Sequence, residues 1–216
     1  MLASIAAGAC SDTIQTDGPV PTTTPCSATA SPTIPAKPST KVVPITGTGD
    51  QTVGLPGDIP LPLLVHARHD GADAFVVNGV DASGKATQVF ATALGPYDAT
   101  FAVGFVDACA APTSALHIAT KSKWRLDIAN AGLAPRYDNA KGVAGKGDAV
   151  LSYVGAGTKV RITYSGTARF DVTTYGNKGP ELLAHSVGAF QNTVTLPHGP
   201  VFVAITAQGA WTIGAA

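Results

Sequence analysis

From about residue 45 onward, apolar and polar residues alternate at a period of two, the spacing of strands with one dry and one wet face. Val65, Ala67 and His69 fall on one side of their segment, and His66, Arg68 and Asp70 on the other. The same alternation returns as Val160, Ile162 and Tyr164 against Arg161, Thr163 and Ser165. Further strands are predicted over 74–80, 87–94, 99–106, 115–120 and 123–129, and again over 169–175, 182–188, 192–196, 201–207 and 210–214. The turns between them carry Gly, Asp and Asn, and no stretch has a helical period.

Laid on itself, the sequence repeats once. Gly47-Thr48-Gly49-Asp50 matches Gly145-Lys146-Gly147-Asp148, and the strand from Val65 to Gly71 matches Val160 to Gly166. Phe75 and Val77 fall on Phe170 and Val172, Gly84 on Gly179, and Leu94-Gly95-Pro96-Tyr97 on Val187-Gly188-Ala189-Phe190. Ile118 and Trp124-Arg125-Leu126 fall on Ile205 and Trp211-Thr212-Ile213. The order is kept while the offset falls from 98 to 95, 93 and 87, as short loop deletions in the second copy would produce. The expectation is an all-β chain of two tandem antiparallel β-sandwich, jelly-roll-like modules of seven or eight strands, over 45–130 and 143–216, joined by a linker at 131–142. The predicted interiors hold Val65, Phe75, Val77, Ile118 and Trp124 in the first module, and Val160, Ile162, Phe170, Val172, Ile205, Trp211 and Ile213 in the second.

The ordered set G-x-G-D, an alternating strand closed by a Gly turn, F-x-V, G-P-Y or G-A-F, and a last strand with W-x-[LI] resembles a group of β-sandwich repeats. These are uncharacterised tandem modules of exported bacterial and haloarchaeal proteins and lipoproteins, loosely similar to pre-peptidase C-terminal jelly rolls. The resemblance covers about residues 45–129 and 143–214. It implies a secreted accessory module and carries over no catalytic or ligand residue.

The N-terminal segment agrees with export. Leu2, Ala3, Ile5, Ala6 and Ala7 are apolar, and Ala7-Gly8-Ala9 leads into Cys10 in the manner of a bacterial lipobox, so that residues 1–10 read as a signal-peptide remnant. The match departs at Ala7, where Leu is usual, and no basic segment precedes the apolar run. Cys10 is the expected lipidation site; the other reading is a free cysteine. Residues 11–44 are rich in Thr, Pro and Ser, as in Pro21-Thr22-Thr23-Thr24-Pro25, with few large apolar residues. Such a segment cannot bury enough surface to fold, and reads as a disordered stalk able to extend roughly 100 Å at about 3 Å per residue. Cys26 in this stalk and Cys109 in a stretch missing from the second copy form a possible disulfide; two free thiols are the alternative.

Composition removes several function classes. Charged residues make up only 13% and the formal net charge is zero, which argues against nucleic acid and against an anionic membrane surface as general partners. No apolar run reaches the roughly 18 residues of a spanning helix, so the expected membrane contact is the lipid anchor alone.

Motifs with possible chemistry are few. His66, His69 and Asp70 form an H-x-x-H-D string, but on a strand residues three apart point to opposite faces, so a metal role is not expected, and His69 should sit half-buried where Tyr164 sits. Asp50 and Asp148 recur in the Gly-x-Gly-Asp turn; without further acids nearby, fixing the turn is favoured over binding calcium. Gly145-Lys146-Gly147 lacks the earlier glycine, replaced by Ala140, and the Ser or Thr of a phosphate loop, where Gly147 stands. No G-x-S-x-G elbow occurs, and His117, His185 and His198 lie in no nucleophile motif. Neither cofactor nor catalysis is expected. Two classes remain: a non-catalytic surface module recognising a glycan, a wall polymer or a protein, or a structural spacer with no ligand of its own. A binder should show an exposed cluster of aromatics or a patch, and a spacer neither; only Tyr137, Tyr153 and Tyr175 are aromatics outside the expected interiors, scattered in sequence. An enzyme whose site is assembled only in space comes third.

Overall fold

The computed structural model describes residues 39–105, 111–177 and 179–216. Among them are sixteen strands. Eight belong to the first copy: β1 (Val42–Thr48), β2 (Gln51–Gly54), β3 (Leu63–His69), β4 (Ala74–Val80), β5 (Ala86–Leu94), β6 (Tyr97–Val103), β7 (Ala115–Ala119) and β8 (Lys123–Asn130). Eight belong to the second: β9 (Val143–Lys146), β10 (Ala149–Tyr153), β11 (Thr158–Tyr164), β12 (Arg169–Gly176), β13 (Gly179–Val187), β14 (Phe190–Leu196), β15 (Val201–Thr206) and β16 (Ala210–Ala215).

The first copy pairs its strands as two antiparallel sheets, β1-β8-β3-β6 and β2-β7-β4-β5. The second repeats both orders, as β9-β16-β11-β14 and β10-β15-β12-β13. Apart from the β4–β5 and β12–β13 hairpins, consecutive strands thus cross between facing sheets in the winding of a jelly roll. The registers correspond strand for strand: Val65 pairs with Ile128 and Phe101, and Val160 with Ala215 and Val194. Phe75 and Phe170 occupy matching places on β4 and β12. Both are fully buried, a contribution of about 2–3 kcal/mol each. Val65, Val77, Ile118 and Trp124 surround Phe75, and Val160, Ile162, Val172, Ile205, Trp211 and Ile213 surround Phe170.

The Gly-x-Gly-Asp turn explains itself in this frame. Gly47 and Gly145 lie beneath the indoles of Trp124 and Trp211, where any Cβ would overlap the ring. Gly49 and Gly147 have φ of 72° and 78°, and their carbonyls accept the indole N–H at 3.0 and 2.8 Å. The following Asp50 and Asp148 each accept a backbone N–H, from Thr120 and Ala207, at 2.8 Å. Each motif therefore ties the β1–β2 or β9–β10 turn to the opposite turn and to the tryptophan that plugs the core.

The two sandwiches pack on each other. Leu64 and Ala102 on the outer face of sheet β1-β8-β3-β6, with Phe105 just beyond β6, meet Val150, Phe202 and Tyr175 on the outer face of sheet β10-β15-β12-β13. Phe105 stacks on Tyr175 at 4.5 Å and tilts against Phe202 at 5.0 Å. The connection between the copies is part of this packing. Ala131 and Ala134, in and after a 3₁₀ turn at Ala131–Leu133, are buried there. Ser152 and the 135–137 segment then exchange backbone hydrogen bonds, Ser152 N–H to Pro135 and Tyr137 N–H to Ser152. Tyr137 and Tyr153, read from sequence as lying outside the interiors, are 3% and 6% exposed and belong to the second core. Tyr137 lies outside any strand, and Tyr153 alternates with Leu151 on β10, a strand absent from those expected.

Candidate ligand cleft between the sandwiches

Beside the shared apolar patch, the packing leaves a cleft of about 470 Å³, a volume in the range of small-ligand sites. One wall is the β5–β6 turn, which crosses between the two sheets of the first sandwich, with Leu94, Pro96, Tyr97 and Asp98, together with Asp70 just after β3. The other is the β9–β10 turn, with Lys146 and Asp148, and Gln208 from the β15–β16 turn. The turn contains Gly95, whose φ of 91° suits only glycine and whose N–H donates to the Asp73 carbonyl at 3.0 Å. Leu94 is 86% exposed at the rim. Gln208 reaches across to donate to the Thr92 carbonyl at 3.2 Å.

Asp148 closes the floor. Its carboxylate accepts the Tyr97 hydroxyl at 2.7 Å, and its main-chain carbonyl accepts the Thr100 N–H at 3.2 Å. Burial holds the Asp148 carboxyl above the ordinary carboxylate range, opposed by the hydrogen bonds from Tyr97 and Ala207. Burial, and then the neighbouring Asp148 charge, push the Tyr97 hydroxyl far up, so it remains a proton donor. The aspartate that sequence ties to a turn thus does a second job in the second copy, which sequence alone did not reveal.

The H-x-x-H-D string is split as the strand period requires. His66 points outward and donates from Nε2 to Asp98 at 2.5 Å, with Arg68 at 3.6 Å from the same oxygen. His69 points inward, is 1% exposed rather than half-buried, and stacks on Phe75 at 4.9 Å as Tyr164 stacks on Phe170 at 4.5 Å. Its Nδ1 meets the Gly95 carbonyl at 3.2 Å and its Nε2 the Thr120 hydroxyl at 2.9 Å. Asp73 joins this network, accepting from the Ser122 and Thr120 hydroxyls and the Lys121 N–H, and these bonds hold its carboxyl well below the ordinary range. Asp70 faces the cleft.

The remaining candidates are dispersed. His117 lies between Thr52 and Asn78 on the outer face of sheet β2-β7-β4-β5. His185 meets Asp171 at 2.6 Å, and His198 meets the Gly199 carbonyl at 2.7 Å. Lys146, the last residue of β9, stands in the cleft wall. Among the described residues, no three His, Cys, Asp or Glu side chains gather as a metal site. Cys10, Cys26 and Cys109, and with them the lipidation and disulfide expectations, lie outside the described residues.

No protein-family model matches the chain, and a search of curated proteins finds no match.

Proposed function

We propose that this is a non-catalytic recognition protein of the cell exterior, tethered through Cys10 and the Thr/Pro/Ser-rich stalk, whose ligand lies in the cleft between the two sandwiches. The observation that carries the reading is the cleft itself, built from both copies, with an exposed leucine at its rim and polar side chains left over. Among the described residues, neither the Asp70 nor the Lys146 side chain makes a hydrogen bond or ion pair, although both line the cavity. A spacer with no ligand has no need of such a surface, and a concave cleft with a few convergent polar groups is the usual form of a binding site. The Thr/Pro/Ser-rich composition of residues 11–44 supports the location, since a segment of that composition would place a recognition unit clear of the membrane. The test is binding of the full chain to a glycan array and to isolated cell-wall fractions. Saturable binding that Leu94→Asp weakens supports recognition, and absence of binding to both leaves the chain a spacer.

A further inference from the structure

We infer that the ligand is an extended, electrically neutral polyhydroxyl chain, a glycan, lying across the first sandwich and ending in the inter-sandwich cleft; this rests on the recognition reading above. The cleft adjoins a second depression of about 460 Å³ on the wet face of sheet β1-β8-β3-β6, and Asp70 lines both. Thr46, Arg68, Lys123 and Arg125 line the second depression. The register sets its direction: Thr46, Arg125, Arg68 and Asp98 form one row across the four strands. Four strands span roughly 15 Å at their usual spacing, and the cleft continues beyond β6. A surface that long, turning at Asp70, fits a chain better than a single small molecule.

Charge balance selects the kind of chain. The path carries Arg68, Lys123, Arg125 and Lys146 against Asp70 and Asp98, with Asp127 paired to Arg125. A polyanion would meet carboxylates along it, and a polycation would meet guanidinium and ammonium groups. Neutral hydroxyls use both, donating to carboxylates and accepting from the cations. The charges of the four-strand row are not needed by the fold. In the second copy the row reads Ala144, Thr212, Thr163 and Gln191, with the two threonine hydroxyls bonded at 2.6 Å. Arg68 and Arg125 stand directly opposite each other, a placement that costs stability. Asp127 clamps Arg125 at 2.6 Å and Asp98 faces Arg68, so the pair is held in place as fixed donors.

The experiment is titration of the full chain with neutral β-1,4-linked gluco-, xylo- and manno-oligosaccharides from disaccharide to hexasaccharide, with polygalacturonate and chitosan oligomers as charged probes. Affinity for at least one neutral series should rise about tenfold from disaccharide to hexasaccharide, as a multi-contact groove requires. Asp70→Ala should lower hexasaccharide affinity by about fivefold or more with thermal stability unchanged, while Asp81→Ala, away from the groove, leaves it as it was. Preference for either charged polymer, or affinity independent of length, overturns the neutral-chain inference and leaves recognition standing. Binding only to a protein from the wall fraction does the same. Failure to bind any probe or fraction removes both readings.

Discussion

The two sandwiches share their interiors and differ where they face outward. Leu64 and Ala102 of the first, which press on the second, correspond by register to the pair Lys159 and Thr195. In the other direction, Val150, Phe202 and Tyr175 correspond to Thr52, Ala115 and Val80. Each module is thus apolar on the one outer face that meets its neighbour and more polar or smaller-chained on the equivalent face that does not. A head-to-tail contact between copies does not close on itself, and such arrays need ends that stop the stacking. Duplication supplied the core, and divergence of a few outward residues made a two-module unit with finished ends.

The sharpest way to break this comparison is to give the first copy the second copy's residue at the contact. Leu64→Lys places an unpaired ammonium in the buried patch and should cost about 3 kcal/mol or more. Calorimetry should then resolve two transitions in place of one. One unshifted transition would mean the contact contributes nothing.

Asp50 and Asp148 separate the shared role from the acquired one. Asp50→Ala removes a turn hydrogen bond and should cost about 1 kcal/mol, whereas Asp148→Ala also strands the Tyr97 hydroxyl and should cost about 2–3 kcal/mol. Chemical denaturation of the two variants measures the difference; equal costs would dismiss the inter-sandwich role of Asp148.

His69 and Tyr164 offer a transplant. The polar group of Asp73, Thr120 and Ser122 around His69 corresponds to Ala168, Ala207 and Gly209 around Tyr164, whose hydroxyl is buried without a partner. His69→Tyr alone should overpack and cost about 2 kcal/mol. Adding Asp73→Ala, Thr120→Ala and Ser122→Gly should recover at least half of it. A quadruple variant no better than the single one would show that the two ends are built differently.

Acid sharpens the same contrast with a smaller effect. Because the folded-state pKa of Asp73 lies below its unfolded value, its contribution is complete above about pH 4 and is lost as pH falls through the folded pKa. Asp148 runs the other way: its raised carboxyl favours the fold at low pH and loses that advantage as pH rises through its folded pKa. Tryptophan fluorescence of Trp124→Phe and Trp211→Phe variants should show the first sandwich opening before the second on acidification. Simultaneous opening, or the reverse order, counts against the Asp73 network. Smallest of all, Lys159→Leu on the free outer face should change stability by no more than about 0.5 kcal/mol.

The repeated interior was legible in sequence because a buried strand face imposes its own period. Val65 and Val160, Phe75 and Phe170, and Trp124 and Trp211 fall at matching places whatever surrounds the module. That same period assigned His66 and His69 to opposite faces. The interface left only a faint trace. Leu63-Leu64-Val65 and Val201-Phe202-Val203 break the alternation, as a strand covered on both faces must, yet such runs do not say what covers them. The cleft left no trace at all, since Asp70 and Leu94 of the first copy face Lys146 and Gln208 of the second only when two finished sandwiches dock. Sequence by itself determined what each module is, because burial of a strand face acts between near neighbours in the pattern. Only the tertiary structure decided how the modules meet and what lies between them, because complementarity of two outer surfaces is a property of neither strand pattern alone.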